Sequence, residues 1–223
     1  MPRRIRHGLQ GTAFHVMNRA VRRTLLCTSD GDYKEFLAIV SVGLAKYKVR
    51  VFAYCVMPNH WHFVVSCERI EDISNWLHWV TGTHAIRWNI AHGTRGRGAV
   101  YQSRFKAVPI QTKTSFLRVC RYVERNALRK GLVRSAEEWE FGSLCASLNN
   151  CATIPLARWP ILRPDSWVEF VNLGEDPADL ETLRQTIYRN QPIGDAEWQQ
   201  AVAPFAGLSM RSIGRPKKDP RPL

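Results

Sequence analysis

Two histidines separated by one bulky apolar residue, His60-Trp61-His62, stand in the run from Met57 to Val65. In an extended strand, residues two apart point to the same face and lie roughly 6.6 Å apart along it. Both imidazoles can then converge on one cation while Trp61 turns the other way, into a core. That is half of a metal site, and it equally fits an edge strand whose histidines bind nothing. A second pair of reactive types lies on a helical stretch from Thr114 to Lys130. With Val119 at zero and about 100° per residue, Val119, Val123, Phe116, Ala127 and Cys120 fall within an arc of about 100°. Asn126 sits about 20° and Tyr122 about 60° beyond one edge of that apolar arc, stacked at i and i+4. A phenol and an amide so placed can serve as nucleophile and oxygen ligand, or simply as a tyrosine half-buried at a core margin beside an incidental asparagine.

The charge narrows the choice of partner. The 223 residues carry 32 Lys and Arg against 19 Asp and Glu, a net charge of +13. Between Gly93 and Arg134 there are eleven basic residues and one acid, Glu124, whereas from Asn150 to Phe205 acids outnumber bases eight to four. One region is built to meet a polyanion and the other is not. No stretch approaches the ~18–20 uninterrupted apolar residues of a membrane span, and the N-terminus, Met1-Pro2-Arg3-Arg4-Ile5-Arg6-His7, lacks the apolar core of a signal peptide. A cytoplasmic protein with no membrane partner is expected. The six cysteines form no C-x-x-C pair and lie mostly in apolar runs, which reads as reduced, buried thiols.

The elements that must position these residues follow from periodicity. A first strand runs from Gly11 to Met17, followed by a basic loop through Arg22 and Arg23. Asp30 starts a helix whose Phe36, Leu37, Val40, Leu44 and Tyr47 recur at three and four. Strands over Val49–Met57 and His60–Ser66 meet at the breaker Pro58-Asn59. A helix from Ile70 to about Ile90, a glycine-rich basic loop, a strand over Val100–Ile110 and the Thr114–Lys130 helix complete the order β-α-β-β-α-β plus one helix. That order predicts an α+β, ferredoxin-like antiparallel sheet with its two crossover helices on one face. Beyond Gly142 the pattern weakens to short helices at Asp179–Arg189 and Asp195–Ala203. Trp76, Trp79 and Trp88 recur at helical spacing and read as core rather than as base-stacking platforms.

His60-Trp61-His62 resembles the His-hydrophobic-His motif of the HUH single-strand nucleases and transposases, and Tyr122 to Val133 resembles the helix bearing their single nucleophilic tyrosine. The likeness is strongest to the REP-associated tyrosine transposases, relatives of the small insertion-sequence transposases. Gly11-Thr12-x-Phe14-His15-Val16, Tyr101-Gln102-Ser103-Arg104-Phe105 and Trp139-Glu140-Phe141-Gly142-Ser143 support it, in order, over roughly residues 8 to 148. The resemblance implies a nuclease domain over residues 1–148; the weaker, proline-punctuated pattern beyond it reads as a helical extension over 149–210 and a basic, disordered tail over 211–223. The resemblance makes His60, His62 and Asn126 ligands of Mg²⁺ or Mn²⁺, with no small-molecule cofactor, and Tyr122 the nucleophile. Many relatives carry Gln where this chain has the shorter Asn126.

The reaction so implied is cleavage and strand transfer on single-stranded, REP-like hairpin DNA through a covalent 5′-phosphotyrosine. Arg19, Arg22, Arg23, Arg95, Arg97, Arg104 and Lys106 are expected to contact phosphates, and Arg215, in a Gly214-Arg215-Pro216 core, a minor groove. Such a protein would sit with the bacterial nucleoid. Relatives are often dimers that exchange the tyrosine helix; the long C-terminal part here favours a monomer. Two other readings remain open, a domesticated nucleic-acid-binding protein that no longer cuts and a metal-dependent hydrolase using water.

Overall fold

A computed structural model describes residues 12–111 and 114–206. Strands β1 (Ala13–Arg19), β2 (Val49–Met57), β3 (His60–Cys67) and β4 (Lys106–Ile110) form one antiparallel sheet in the order β2-β3-β1-β4. This is the expected α+β, ferredoxin-like arrangement. Helix α1 (Asp30–Lys46) connects β1 to β2. It starts in a reciprocal cap, Ser29 accepting from the Asp32 amide while the Asp32 carboxylate reaches back to Ser29. Helix α2 (Ile70–Ala91) connects β3 to β4 through a loop in which Gly93, Gly96 and Gly98 all have positive φ, a conformation glycine adopts without strain.

Two of the expected elements of the sheet domain differ in extent, and two short α-helices, at Ser143–Leu148 and Trp167–Asn172, form where none was expected. The fourth strand pairs only from Lys106: Tyr101 makes a lone bridge to Ala20, and the polar residues 102–104 leave the ladder for solvent. The helix expected over Thr114–Lys130 divides into α3 (Thr114–Glu124) and α4 (Asn126–Arg129), because Arg125 has ψ near −3°. The stop at Gly131 is as expected. Its φ of 68° permits paired bonds from Gly131 N to Leu128 O and from Leu132 N to Ala127 O, a left-handed C-terminal cap.

The rest comprises α5 (Ser143–Leu148), α6 (Trp167–Asn172), α7 (Pro177–Tyr188) and α8 (Ala196–Ala206). Leu156 bridges β2 at Val51 and Ile193 bridges β4 at Ile110, so the C-terminal segments cover both edges of the sheet. Each face has its own core. Phe14, Val16, Phe36, Trp61, Phe63 and Trp76 pack under α1 and α2, while Val64, Val108, Phe116, Val119, Val123 and Trp167 pack under α3 and the C-terminal helices. Strands covered on both faces need continuous apolar sequence, hence the uniform burial of β3. Trp79 and Trp88 are half-buried against the first core. Five of the six cysteines are buried, none is bridged, and Cys151 is exposed. Among the described residues no helix is long and apolar enough to cross a membrane.

A buried polar chain crosses the first core: Trp61 Nε1 donates to Tyr101 Oη at 3.3 Å, and Tyr101 Oη lies 2.7 Å from His84 Nδ1 on α2. Burial pushes the His84 imidazolium down from 6.5 to about 4, against the opposing pull of Glu35 and Asp32. The folded state thus favours neutral His84. Its contribution is complete above pH 6.5 and is lost as pH falls toward 4, because the unfolded chain takes up the proton first. At 1.36 kcal/mol per unit, about 2 kcal/mol of unfolding free energy should disappear between pH 7 and pH 5 through His84 alone. Urea titrations at both pH values should show His84→Gln with a shallower pH slope than the parent, the residual slope coming from the other buried histidines.

Candidate active site

The register of the sheet sets out the site. His62 lies opposite Met17 on β1 and Cys55 on β2, and His60 opposite Arg19 and Met57, so these side chains share the face toward α3. The imidazoles of His60 and His62 converge to a centroid separation of 5.0 Å. Each uses Nδ1 on a neighbour: His60 with Asn59 Oδ1 at 2.6 Å, His62 with His15 Nε2 at 2.9 Å. Nε2 of each ring is left for a ligand. Burial, aided by Arg19 and Lys130, pushes His60 down to about 3. Burial likewise holds His62 well below its ordinary value, with His60, His15 and Arg129 acting in the same direction. Both rings are therefore neutral near pH 7, the form that donates a lone pair.

Tyr122 stands edge-on to His62 at 5.7 Å and to His15 at 6.2 Å, 8% exposed. The Arg129 guanidinium lies over its ring at 4.4 Å, and Nη2 of the same group donates to the Tyr122 carbonyl. Asn126 follows one turn on, 3% exposed; its Oδ1 accepts a long 3.4 Å bond from Arg129, and its Nδ2 is buried without a partner. The margin of the helical wheel is thus the edge that faces the histidines. His60, His62, Tyr122 and Asn126 line one cleft of about 410 Å³ with Arg19, Arg104, Lys106, Arg129, Lys130 and Arg184, and among the described residues no carboxylate lines it. Neutral imidazoles, an amide, a phenol and concentrated positive charge are the chemistry of a phosphodiester site.

A family model described as transposase IS200 like matches residues 9–126, which includes all four of these side chains. The chain belongs to the IS200-like transposases. It is therefore an enzyme of a family that cuts and transposes DNA. Among solved structures, a REP-associated tyrosine transposase bound to a REP hairpin is similar over 79% of this chain and 93% of its own, with a TM-score of 0.55 and 18% identity, a likeness of fold. A candidate transposase from Deinococcus radiodurans R1 is 16% identical over 53% of this chain and 93% of its own, with a TM-score of 0.40, too low to carry weight. No curated protein matches the sequence.

Of the basic residues expected to meet DNA, Arg19, Arg104 and Lys106 line the transposase cleft, whereas Arg22 and Arg23, in a 3-10 turn, and Arg95 and Arg97, in a loop, are exposed and are not part of its lining. Arg215 and the tail lie outside the described residues. Sequence reasoning gave no role to His15, Asn59, Arg129 or Lys130, and none to Arg184. The period-two spacing that singles out His60 and His62 cannot reveal which residue of another strand lies beside them. Glu124 did leave a signal, as the single acid in a long basic run. It is buried, accepting from Ser143 Oγ at 2.6 Å and Trp167 Nε1 at 2.7 Å, while Ser143 Oγ accepts from the Tyr54 amide. Burial pushes its carboxyl up; the two donors and Arg163 oppose this.

The end of α6 and the segment after it clamp the outer side of the tyrosine helix. Arg125 donates to the carbonyls of Val171 and Asn172, Arg121 to those of Leu173 and Gly174, and the Glu175 carboxylate pairs with Arg129 Nε at 2.9 Å and Arg125 Nε at 3.3 Å. The Glu175 side chain is 13% exposed, whereas Asp179, 3.7 Å from Arg118, is 78% exposed. Removing one partner of a shielded pair leaves charge without compensation; an exposed pair is replaced by water. Glu175→Ala should lower unfolding free energy by about 3 kcal/mol and Asp179→Ala by under about 1 kcal/mol, measured by urea denaturation at neutral pH.

Proposed function

We propose that this transposase cleaves and rejoins single-stranded, hairpin-forming DNA by attack of Tyr122 on a phosphodiester, with a divalent ion held by His60, His62 and Asn126. The observation that carries the reading is the Tyr122 ring standing against His62 inside a cleft whose charged lining, among the described residues, is entirely cationic. The REP hairpin held by a transposase of similar fold supports a hairpin substrate.

Among the described residues no three His, Cys, Asp or Glu side chains are grouped to hold a metal; this reading takes its third protein ligand from the Asn126 amide. The donor set fits. Two neutral imidazoles offer Nε2, and Asn126 is buried with its amide only weakly engaged. Two imidazoles favour Mn²⁺ over the oxygen-seeking Mg²⁺. Bound there, the ion supplies Lewis acidity to a non-bridging phosphate oxygen, worth several kcal/mol. Ligation at His62 Nε2 requires the proton on Nδ1, donated to His15 Nε2; His15 then carries its own proton on Nδ1, which is buried without a partner. His15 is thus a positioning residue that fixes the tautomer of His62.

In the reaction, Tyr122 Oη bonds to phosphorus as the phosphorus–O3′ bond breaks. The phenolic proton passes, through solvent, to the departing oxygen. A 5′-phosphotyrosine and a free 3′-hydroxyl result, and the phosphoester so conserved lets another 3′-hydroxyl reverse the step. Arg19, Arg104 and Lys106 hold the strand by its phosphates. Residues 1–148 are the catalytic unit in this reading and 149–210 an extension of it. Tyr122 and the histidines meet within one chain, and the Glu175 clamp covers the outer side of the tyrosine helix, which favours a monomer.

Incubation with Mn²⁺ and an end-labelled hairpin, resolved on a denaturing gel, should give a protein–DNA adduct. Tyr122→Phe should reduce it by on the order of 10³-fold or more, and a chelator should remove it. Cleaved product without adduct would indicate water as nucleophile; binding without product, a protein that no longer cuts. In calorimetric titration, His15→Phe should weaken Mn²⁺ binding about 10- to 100-fold, the effect of losing a partner that orients a ligand.

A further inference from the structure

The family model ends at residue 126, yet the wall of the cleft does not: α7 contributes Arg184, Ile187 and Tyr188. This helix buries Leu183 and Ile187 in the second core but leaves Tyr188 77% exposed, so packing does not use the tyrosine ring. The ring is nevertheless held in place. Lys106 Nζ donates to the Tyr188 carbonyl at 2.7 Å and lies 4.7 Å from the ring centroid. Lys106 is opposite Met17, which is opposite His62, so its backbone is two strands, about 10 Å, from that of His62. Arg184 precedes Tyr188 by four residues and so shares its side of α7. Among the described residues no carboxylate pairs with Arg184.

An exposed aromatic flanked by cations is what a single-stranded nucleic-acid subsite presents, stacking for the base and charge for the backbone. We propose that α7 adds such a subsite: Tyr188 stacks on the base of a nucleotide neighbouring the reacting phosphate, and Arg184 and Lys106 hold that nucleotide's phosphate. The proposal builds on single-strand DNA as the substrate, and it assigns to the extension a part in substrate binding that the family-matched region does not supply.

The test uses the full chain and a fluorescent DNA stem–loop with single-stranded dT flanks, stacking being tolerant of sequence. Anisotropy is read with chelator present, so that nothing is cut, and each flanking dT is replaced in turn by an abasic residue. Tyr188→Ala should weaken binding about 5- to 150-fold and Tyr188→Phe should restore it, the range of base–aromatic stacking. One abasic position should weaken the parent protein comparably and add nothing to Tyr188→Ala, while the other positions add independently. Unchanged affinity in Tyr188→Ala, or abasic effects that add at every position, would overturn the subsite. Because this readout is binding, it separates from the gel assay for the Tyr122 adduct. An adduct with no Tyr188 coupling removes the subsite alone; coupling at one position without an adduct removes tyrosine chemistry and keeps the subsite.

Discussion

The period-two geometry of β3, buried on both faces, is the constraint on which the rest of the structure depends. With Trp61 committed to the core beneath α1 and α2, His60 and His62 must face α3. A slip of one residue would exchange the faces, leaving an indole among the cleft cations and two imidazoles in an apolar core without partners. The tryptophan between the histidines therefore does as much to place them as any hydrogen bond. The chain from Trp61 Nε1 through Tyr101 to His84 reinforces that register from behind, and it fixes the 101–104 segment whose later residues line the cleft.

The second constraint is the placement of the tyrosine helix. Its apolar arc packs on the sheet, but an arc alone allows rotation and sliding. Two polar anchors remove that freedom. On the inner side, buried Glu124 is tied through Ser143 to the backbone of β2 and through Trp167 to α6. On the outer side, Glu175 joins Arg125 and Arg129. Arg129 in turn lies on the Tyr122 ring. The C-terminal segments thus bear on the position of Tyr122 although they lie outside the family-matched region.

What could be read from the sequence was whatever local period encodes. The histidine pair follows from a period of two, and Tyr122 with Asn126 from 3.6, so both halves of the site and the β-α-β-β-α-β order were legible. Contacts across long sequence separations were not. The His15–His62 bond depends on strand register, and the Glu175–Arg129 pair joins residues 46 apart. The break at Arg125 was hidden for a related reason: its guanidinium binds carbonyls of Val171 and Asn172, distant in sequence, while the helix period continues through it. β4 is shorter than the apolar content of Val100 and Tyr101 suggests, because the polar residues 102–104 interrupt the ladder between Tyr101 and Lys106.

The charges divide into two kinds. Arg125 and Arg129, at i and i+4, would repel each other on the helix. Glu175 between them turns that repulsion into attraction, so these two arginines are largely spent on holding the helix. Arg104 is exposed and Arg184 has no carboxylate partner among the described residues, so these two remain available to an incoming strand. Lys106 holds a backbone carbonyl, and burial beside Arg19 lowers its affinity for a proton, so it too gains from an anion. With no carboxylate among the described residues to balance these cations, the cleft is electrostatically incomplete. On the proposed reaction, a phosphodiester would supply the missing charge where the neutral imidazoles cannot, and its arrival would make the site more hospitable to the proposed divalent ion. Strand and ion should therefore bind cooperatively, by the same factor whichever is added first.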